Sequence, residues 1–180
     1  AKIRPAVEEM IGAEKLVGGS VLVMRHGEIV YHEQFGHRDR EKKLPMEKDT
    51  LFRIYSMTKG LTSAAALMLC EEGKMTLDDP IGLHLPSLKS QSVLLSETEK
   101  EAALRNTTVR DLLRHTSGYG NSWGGPLGKI YRENGVSNRG APLAQMIESV
   151  APLPLLYQPG ERWVYGLSSD VLAAVIASAA

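Results

Sequence analysis

The sequence is poor in cysteine and carries no excess charge of either sign. Cys70 is the single cysteine among 180 residues, so no disulfide can form within the chain. Lysines and arginines number 21, as do the acidic residues, and the formal net charge is zero. A neutral balance provides no general attraction to nucleic acid or to an anionic membrane surface. We therefore predict neither a disulfide scaffold nor a nucleic-acid partner.

Long apolar runs are absent as well. No segment approaches the roughly 20 apolar residues that a membrane span needs, and the charged opening AKIRPAVEEM does not resemble the apolar part of a signal peptide. Because the first residue is not Met, a removed leader peptide and a trimmed start are both compatible with the sequence. The sequence does not distinguish between cytoplasmic, periplasmic and secreted locations. No His, Cys or Asp cluster has metal-ligand spacing, so we expect no metal and no organic cofactor.

Hydrophobic periodicity predicts the elements of the first third of the chain. Ile3, Val7 and Ile11 recur at helical spacing, which predicts an amphipathic helix over residues 3–16. The segment GGSVLVMRHGEIVYHEQFG (18–36) alternates around a His-Gly pair, which predicts a β-hairpin. Residues 37–50 are highly charged and contain a proline, so we expect an exposed loop there.

The rest of the chain reads as mainly helical. An apolar helix is predicted from near Ser56 to Gly73, with glycine ending it. A Thr-x-x-Asp start at Thr108 and Asp111 predicts a short capped helix that closes at His115. The remaining predictions are a covering loop over 76–90, an irregular glycine-rich segment over 117–128, a helix over 142–150, a turn and short extended piece over 158–165, and a last apolar helix capped by Ser168-Ser169-Asp170.

Ser56 and Lys59 form the S-x-x-K pattern of the segment LFRIYSMTKGLTSAAALMLCEEG (51–73). Residues three apart on a helix lie on one face, so Lys59 could take the proton that makes Ser56 a nucleophile. That role needs burial and the positive helix end to lower the lysine pKa. The Ser56 backbone N–H, in the first turn, is then a candidate oxyanion donor. The alternative is a helix-start serine beside a lysine that reaches solvent.

Ser122 is the competing candidate nucleophile. It lies in Gly120-Asn121-Ser122-Trp123-Gly124, which matches the G-x-S-x-G elbow. That motif works when a strand precedes the serine and a helix follows it, and the sequence predicts neither. All five histidines also precede residue 116, whereas the elbow order places the histidine after the serine. We therefore favour Ser56.

Several segments resemble one known family, in that family's order along the chain. LFRIYSMTKGLTSAAALMLCEEGKMTLDDPI resembles the active-site segment of the serine β-lactamase and penicillin-binding-protein superfamily. The resemblance is strongest to the β-lactamase-related esterases of carboxylesterase family VIII and to class C β-lactamases. TVRDLLRHTSGY, PLLYQPGERWVYGLSSDVLAAVI and the hairpin 18–36 resemble further segments of the same family.

The resemblance implies roles for individual residues. Ser56 matches the acylated nucleophile, Lys59 the conserved lysine, and Tyr165 the tyrosine that shares proton transfer with that lysine. A tyrosine of ordinary pKa near 10 becomes a usable base beside a cation, which Lys59 would supply. Trp123 and Trp163 are weaker candidates for lining a substrate pocket. His115 is interpreted as a helix-ending residue.

Two features depart from the family pattern. Leu167 stands two places after the tyrosine, where β-lactamases and peptidases usually have Asn, so an amide that could hold a substrate amide is missing. This change favours esters over β-lactams and peptides. The family's third motif, K-T-G or H-x-G on a later strand, does not occur in these 180 residues.

We therefore expect a serine hydrolase that acts on small esters through an acyl-enzyme. The resemblance implies an α+β, β-lactamase/transpeptidase-like fold, with an antiparallel sheet flanked by helices and a helical subdomain. Residues 1–180 would be the N-terminal part of one such catalytic domain, with helix and hairpin in 1–50 and a mainly helical region in 51–180. We expect activity to need a complementing C-terminal segment. The alternatives are a β-lactamase or D-alanyl-D-alanine peptidase, and a non-catalytic ligand-binding relative.

Overall fold

A computed structural model describes residues 2–96, 99–136 and 140–180 of the chain. The Cα positions divide into two compact units, residues 1–54 and residues 55–180. The division falls close to the predicted change from helix and hairpin to mainly helical structure. No helix in the described ranges has the length and apolarity that crossing a membrane would require.

The first unit is a helix and a three-stranded antiparallel sheet. Helix α1 (Ile3–Gly12) is followed by β1 (Gly18–Arg25), β2 (Glu28–Asp39) and β3 (Leu44–Pro45), in the sheet order β1-β2-β3. The predicted hairpin is confirmed, and it turns at His26 and Gly27, which have φ values of 51° and 83°. The predicted helix is also confirmed, although it ends at Gly12 rather than at residue 16.

The charged segment 37–50 is partly strand, so the prediction of a loop is wrong there. Strand β2 continues to Asp39, and His37 pairs with Pro45 of β3. Charged residues and a proline are common on edge strands, where they discourage further pairing. The charge pattern therefore resembled that of a loop.

The second unit begins with the segment that carries S-x-x-K. A 3₁₀ turn, Tyr55–Met57, leads into α2 (Thr58–Glu71), and Gly73 at φ 71° follows its end. The predicted helix and its glycine stop are confirmed. The apolar helix is only partly buried, because two of its side chains are buried while three large apolar ones are exposed: Ala66 and Leu69, against Leu61, Leu67 and Met68.

The segment after α2 contains more regular structure than the sequence predicts. The expected covering loop includes two 3₁₀ turns, Ile81–Leu83 and Pro86–Leu88. Strands β4 (Ser92–Leu94) and β5 (Lys100–Ala102) pair in antiparallel fashion and were not predicted. Strands of three residues are too short to show a clear alternation.

Helix α3 (Val109–Leu113) begins with the predicted capping box. The Thr108 hydroxyl accepts a hydrogen bond from the Asp111 N–H, and the Asp111 carboxylate accepts one from the Thr108 N–H at 2.9 Å. Arg105 also donates to this carboxylate, at 2.5 Å. Burial alone would raise the pKa of Asp111, but the hydrogen bonds from Arg105 and Thr108 outweigh it and lower the pKa.

Three further helices complete the second unit. They are α4 (Gly125–Glu133), α5 (Leu143–Val150) and α6 (Ser168–Ala179). Helix α5 is confirmed, whereas α4 begins inside the segment expected to be irregular. The extended piece expected before residue 165 is not a strand in the structure.

The predicted cap of α6 is wrong. The N-cap position is Leu167, which makes no side-chain capping bond, and Ser168 is already helical. The Ser168 hydroxyl is fully buried and lies 2.8 Å from the Ser117 hydroxyl. Because the Ser168 hydroxyl is hydrogen-bonded to Ser117, it does not cap the helix, and it links the start of α6 to the loop after α3.

The core of the second unit forms where α6 packs against α2 and α3. Val171, Leu172 and Val175 of α6 are buried there together with Tyr119 and Tyr131. The Tyr131 hydroxyl accepts a hydrogen bond from the Gly120 N–H at 3.3 Å. This packing holds three segments close together, namely the start of α2, the loop 117–124 and the chain entering α6.

Candidate active site

Ser56 and Tyr165 meet although 109 residues separate them in the chain. The Ser56 Oγ lies 2.7 Å from the Tyr165 hydroxyl oxygen, which is a hydrogen bond. Ser56 belongs to the 3₁₀ turn that opens α2, and Tyr165 precedes α6. Backbone N–H groups in the first turn of a helix have no intrahelical acceptor, so the position of Ser56 is compatible with the predicted oxyanion role of its N–H.

Lys59 lies close to the ring of Tyr165. Its Nζ is 4.8 Å from the ring centroid of Tyr165, and its side chain is half-buried, less buried than the apolar sequence around it suggests. The hydrogen-bonding influence of Lys59, followed by that of the Ser56 hydroxyl, lowers the pKa of Tyr165. A nearby ammonium favours the phenolate, so both neighbours stabilise the ionised form of Tyr165.

The backbone around Tyr165 is fixed by the loop 117–124. The Asn121 amide donates to the Tyr165 carbonyl oxygen at 3.2 Å, and the Leu167 N–H donates to the Gly120 carbonyl oxygen at 3.0 Å. Between these bonds, Gly166 approaches the loop so closely that a Cβ would lie 2.8 Å from the Tyr119 carbonyl oxygen and nearer still to Gly120. A glycine is therefore required beside Tyr165.

Three aromatic rings surround Tyr165. His115 stacks on it with ring centroids 5.1 Å apart, and Trp123 and Trp163 lie 6.3 Å and 6.2 Å away. His115 follows α3 with φ 56°, as expected of a helix-ending residue, but its ring also packs on the site. Burial, with a smaller effect of Lys59, lowers the pKa of His115. Its Nδ1 is buried and has no hydrogen-bond partner among the described residues.

The site opens into a cavity of about 490 Å³. Ser56, Lys59 and Tyr165 line it together with the predicted Trp123, whereas Trp163 contacts Tyr165 from outside the lining. Further lining residues were not predicted to belong to the site: Tyr55, Asn121, Val136, Ala141, Leu143, Met146, Gly166, Leu167 and Asp170.

Some of these additional residues carried a usable sequence signal. Leu143 and Met146 are three apart in α5, while Ile147 and Val150 of the same helix are buried. An amphipathic helix with apolar residues beyond its core face could have indicated a second contact surface.

Ser122 also lines the cavity, so the structure brings both candidate serines to one place. Helix α4 follows Ser122 from Gly125, which the sequence did not predict, but the described residues directly before Ser122 form no strand. Of the two serines, Ser56 is the one whose hydroxyl is hydrogen-bonded to a titratable side chain. The described residues include no group of three or more His, Cys, Asp and Glu side chains placed to hold a metal.

Comparisons with known proteins match nearly the whole chain to one family. A family model described as Beta-lactamase matches residues 3–180. Esterase EstB of Burkholderia gladioli is 35% identical over 98% of this chain and 44% of its own length, and Protein Rv1367c of Mycobacterium tuberculosis is 37% identical over 95% and 43%. The solved structure of EstCE1, a hydrolase with promiscuous acyltransferase activity, is 30% identical with a TM-score of 0.85, over 98% of this chain and 45% of its own. The chain therefore spans less than half the length of these relatives.

Proposed function

Because the chain belongs to the β-lactamase family of hydrolases, we propose that it forms part of a serine esterase that cleaves small carboxylic esters through an acyl-enzyme. The observation that carries the proposal is the 2.7 Å hydrogen bond between the Ser56 and Tyr165 hydroxyls beside the Lys59 ammonium. The similarity to Esterase EstB, and to the hydrolase and acyltransferase EstCE1, supports the choice of ester chemistry.

The first half of the reaction forms the acyl-enzyme. Tyr165, with its pKa lowered by Lys59, accepts the Ser56 proton as the serine oxygen attacks the ester carbonyl carbon. The Ser56 backbone N–H stabilises the negative oxygen of the tetrahedral intermediate. When the ester C–O bond breaks, the proton passes to the departing alkoxide, which leaves as the alcohol.

The second half releases the acyl group. Water takes the place of the departed alcohol, and Tyr165 accepts its proton as the water oxygen attacks the acyl carbon. The C–O bond to Ser56 breaks, the serine recovers its proton, and a carboxylic acid is released. An alcohol that entered instead of water would give a new ester, which is the reaction type named for EstCE1.

Leu167 supports esters rather than amides as substrates. It lines the cavity at the position where the family pattern has Asn, so the wall presents an apolar side chain to the substrate. An ester leaving group also needs less protonation than an amine. A chain that turned over nitrocefin as well as 4-nitrophenyl butyrate would instead favour the β-lactamase or peptidase alternative.

The expectation of a complementing C-terminal segment stays part of the proposal. Loss of one oxyanion donor costs about 2.7–4 kcal/mol in the transition state, so a site that lacked one would turn over slowly. A comparison of ester turnover tests this requirement. It is measured for residues 1–180 alone and for the natural full-length chain. Equal turnover by the two would remove it.

The decisive experiment identifies the acylated serine. We expect intact-mass measurement of the natural full-length chain, treated with a fluorophosphonate, to show one adduct. Ser56→Ala should remove the adduct and ester turnover, whereas Ser122→Ala should still be labelled. Labelling that survives Ser56→Ala and disappears in Ser122→Ala would assign the role to Ser122. A folded chain that binds esters but is never labelled would support the non-catalytic alternative.

A further inference from the structure

Asp170 is a carboxylate in the wall of the catalytic cavity, and it accepts a hydrogen bond from its own backbone N–H. It is the third residue of α6 and lies one helical turn after Leu167, which lines the same wall. No other described residue is recorded as a hydrogen-bond or ion-pair partner of its carboxylate. Asp78 and Asp111, in contrast, are paired with Arg110 and Arg105. The helix start accounts for the presence of an acid but not for its place in the cavity.

The cavity wall holds one basic and one acidic side chain. Lys59 and Asp170 are the ionisable Lys, Arg, Asp and Glu side chains among its described lining residues, and Lys59 acts on Asp170 through its charge rather than through a hydrogen bond. Although Asp170 remains accessible to solvent, burial raises the pKa of its carboxyl, and Lys59 opposes part of that rise. The charge of Asp170 also acts on Tyr165. The carboxylate therefore lies close enough to the reacting groups to affect a bound substrate.

We propose that Asp170 selects among substrates by their charge. It disfavours esters that carry a carboxylate, and it accepts esters whose acyl group is uncharged or ends in an ammonium. This inference rests on the proposed esterase function. A substrate carboxylate in the cavity gains from Lys59 but is repelled by Asp170, so the attraction expected of a lysine site is offset. Because β-lactams and D-alanyl-D-alanine peptides carry carboxylates, the same residue disfavours both of the rival substrate classes.

The size of the effect follows from one charge acting over a few ångströms. In partly hydrated surroundings, the repulsion energy between Asp170 and a substrate carboxylate lies between the energy in water and the energy at a protein surface. This corresponds to a change of about tenfold in the ratio of kcat/KM for a carboxylate ester to kcat/KM for a neutral ester. A purely structural Asp170, one that only interacts with the N-terminus of α6, would affect stability and leave the order of substrates unchanged.

The test compares three 4-nitrophenyl esters of similar length: heptanoate, 6-aminohexanoate and the monoester of adipate. They present a neutral, an ammonium and a carboxylate end. For the natural full-length chain at pH 7.5 we expect the adipate monoester to have no advantage in kcat/KM over the heptanoate, because Asp170 offsets the attraction of Lys59. In Asp170→Asn the ratio of adipate to heptanoate should rise about tenfold, and the ratio of aminohexanoate to heptanoate should fall.

The matched control is Glu148→Gln, which removes one negative charge from an exposed position of α5 outside the cavity lining. Its substrate ratios should equal those of the parent. Asp170→Ser also removes the charge and keeps a residue suited to a helix start, so it replaces Asp170→Asn should that variant fail to fold. Asp170→Glu keeps the charge and should retain the parent order.

Ratios that stay at the parent value in both neutral variants would overturn the inference, and so would a parent that prefers the adipate monoester. Equal changes in Glu148→Gln would show a general charge effect and would also overturn it. Failure of the proposed function has a different signature, because no ester would then be turned over in a Ser56-dependent manner. In that case the inference about Asp170 falls with it.

Discussion

Replacing Gly166 by alanine should disturb the proposed proton-transfer group without touching any of its side chains. The new Cβ would lie 2.8 Å from the Tyr119 carbonyl oxygen and closer to the Gly120 carbonyl group. Real Cβ atoms keep more than 3.0 Å from such neighbours, and backbone carbonyls cannot turn aside as a flexible side chain can. The segment that carries Tyr165 must therefore move away from the loop 117–124.

The magnitude follows from that movement. Relieving the contact weakens two bonds that fix Tyr165, those from Asn121 at 3.2 Å and from the Leu167 N–H at 3.0 Å. Overpacking of this kind costs about 1–3 kcal/mol of stability. A displacement of about 1 Å at a reacting group can cost roughly 10²-fold in rate. The 2.7 Å bond between Ser56 and Tyr165 is where that displacement would act.

The assay measures kcat for 4-nitrophenyl butyrate and the free energy of unfolding in urea, both with the natural full-length chain. Gly60→Ala is the matched control, because a Cβ at Gly60 meets nothing within 4 Å and alanine is the better helix former in α2. We expect the control to be at least as stable as the parent. Parent values of kcat and stability in Gly166→Ala would refute the reasoning from close approach.

Two further predictions concern titratable groups. Tyr165→Phe should lower kcat by about 10²–10⁴-fold. Because the base form of Tyr165 exists above its lowered pKa, kcat/KM of the parent should rise with pH through that pKa. The same pH series should show no such rise in the variant. Asp111→Asn should cost about 1.5–3 kcal/mol at pH 7. The Asp111 carboxylate contributes its stability above its ordinary pKa near 3.9 and loses it as the pH falls through the lowered pKa of the folded state. The free energies of unfolding of parent and variant in urea should therefore converge as the pH is lowered, and a difference that stays constant would contradict this.

The local features of the fold were predictable because neighbouring residues determine them. The capping box at Thr108 and Asp111, the glycine stop at Gly73 and the hairpin turn at Gly27 each depend on a few adjacent positions. Ser168 shows where such reasoning fails. Its hydroxyl suits a helix cap, but the buried Ser117 hydroxyl, 51 positions away, is its partner instead.

In the candidate site too, some residues could be predicted from the sequence, whereas others depend on contacts between distant segments. The S-x-x-K spacing indicated Ser56 and Lys59 by helix geometry, and Tyr165 followed from the family resemblance. The need for a glycine at 166 could not be predicted, because it arises from close approach to Gly120 across 46 positions. Asp170 was read as a helix-cap residue, since nothing in the sequence reveals that the third position of α6 borders the cavity.

The distance along the chain between Ser56 and Tyr165 makes the site a reporter of folding. Their hydrogen bond joins the start of α2 to the residues before α6, so it closes a loop of more than 100 residues. Contacts of such high sequence separation form late, because the entropy of loop closure must be offset first. Labelling of Ser56 should therefore appear after most of the helical circular dichroism signal during refolding. Under mild denaturant, loss of labelling would then mark the separation of α2 from α6 before the helices themselves unfold.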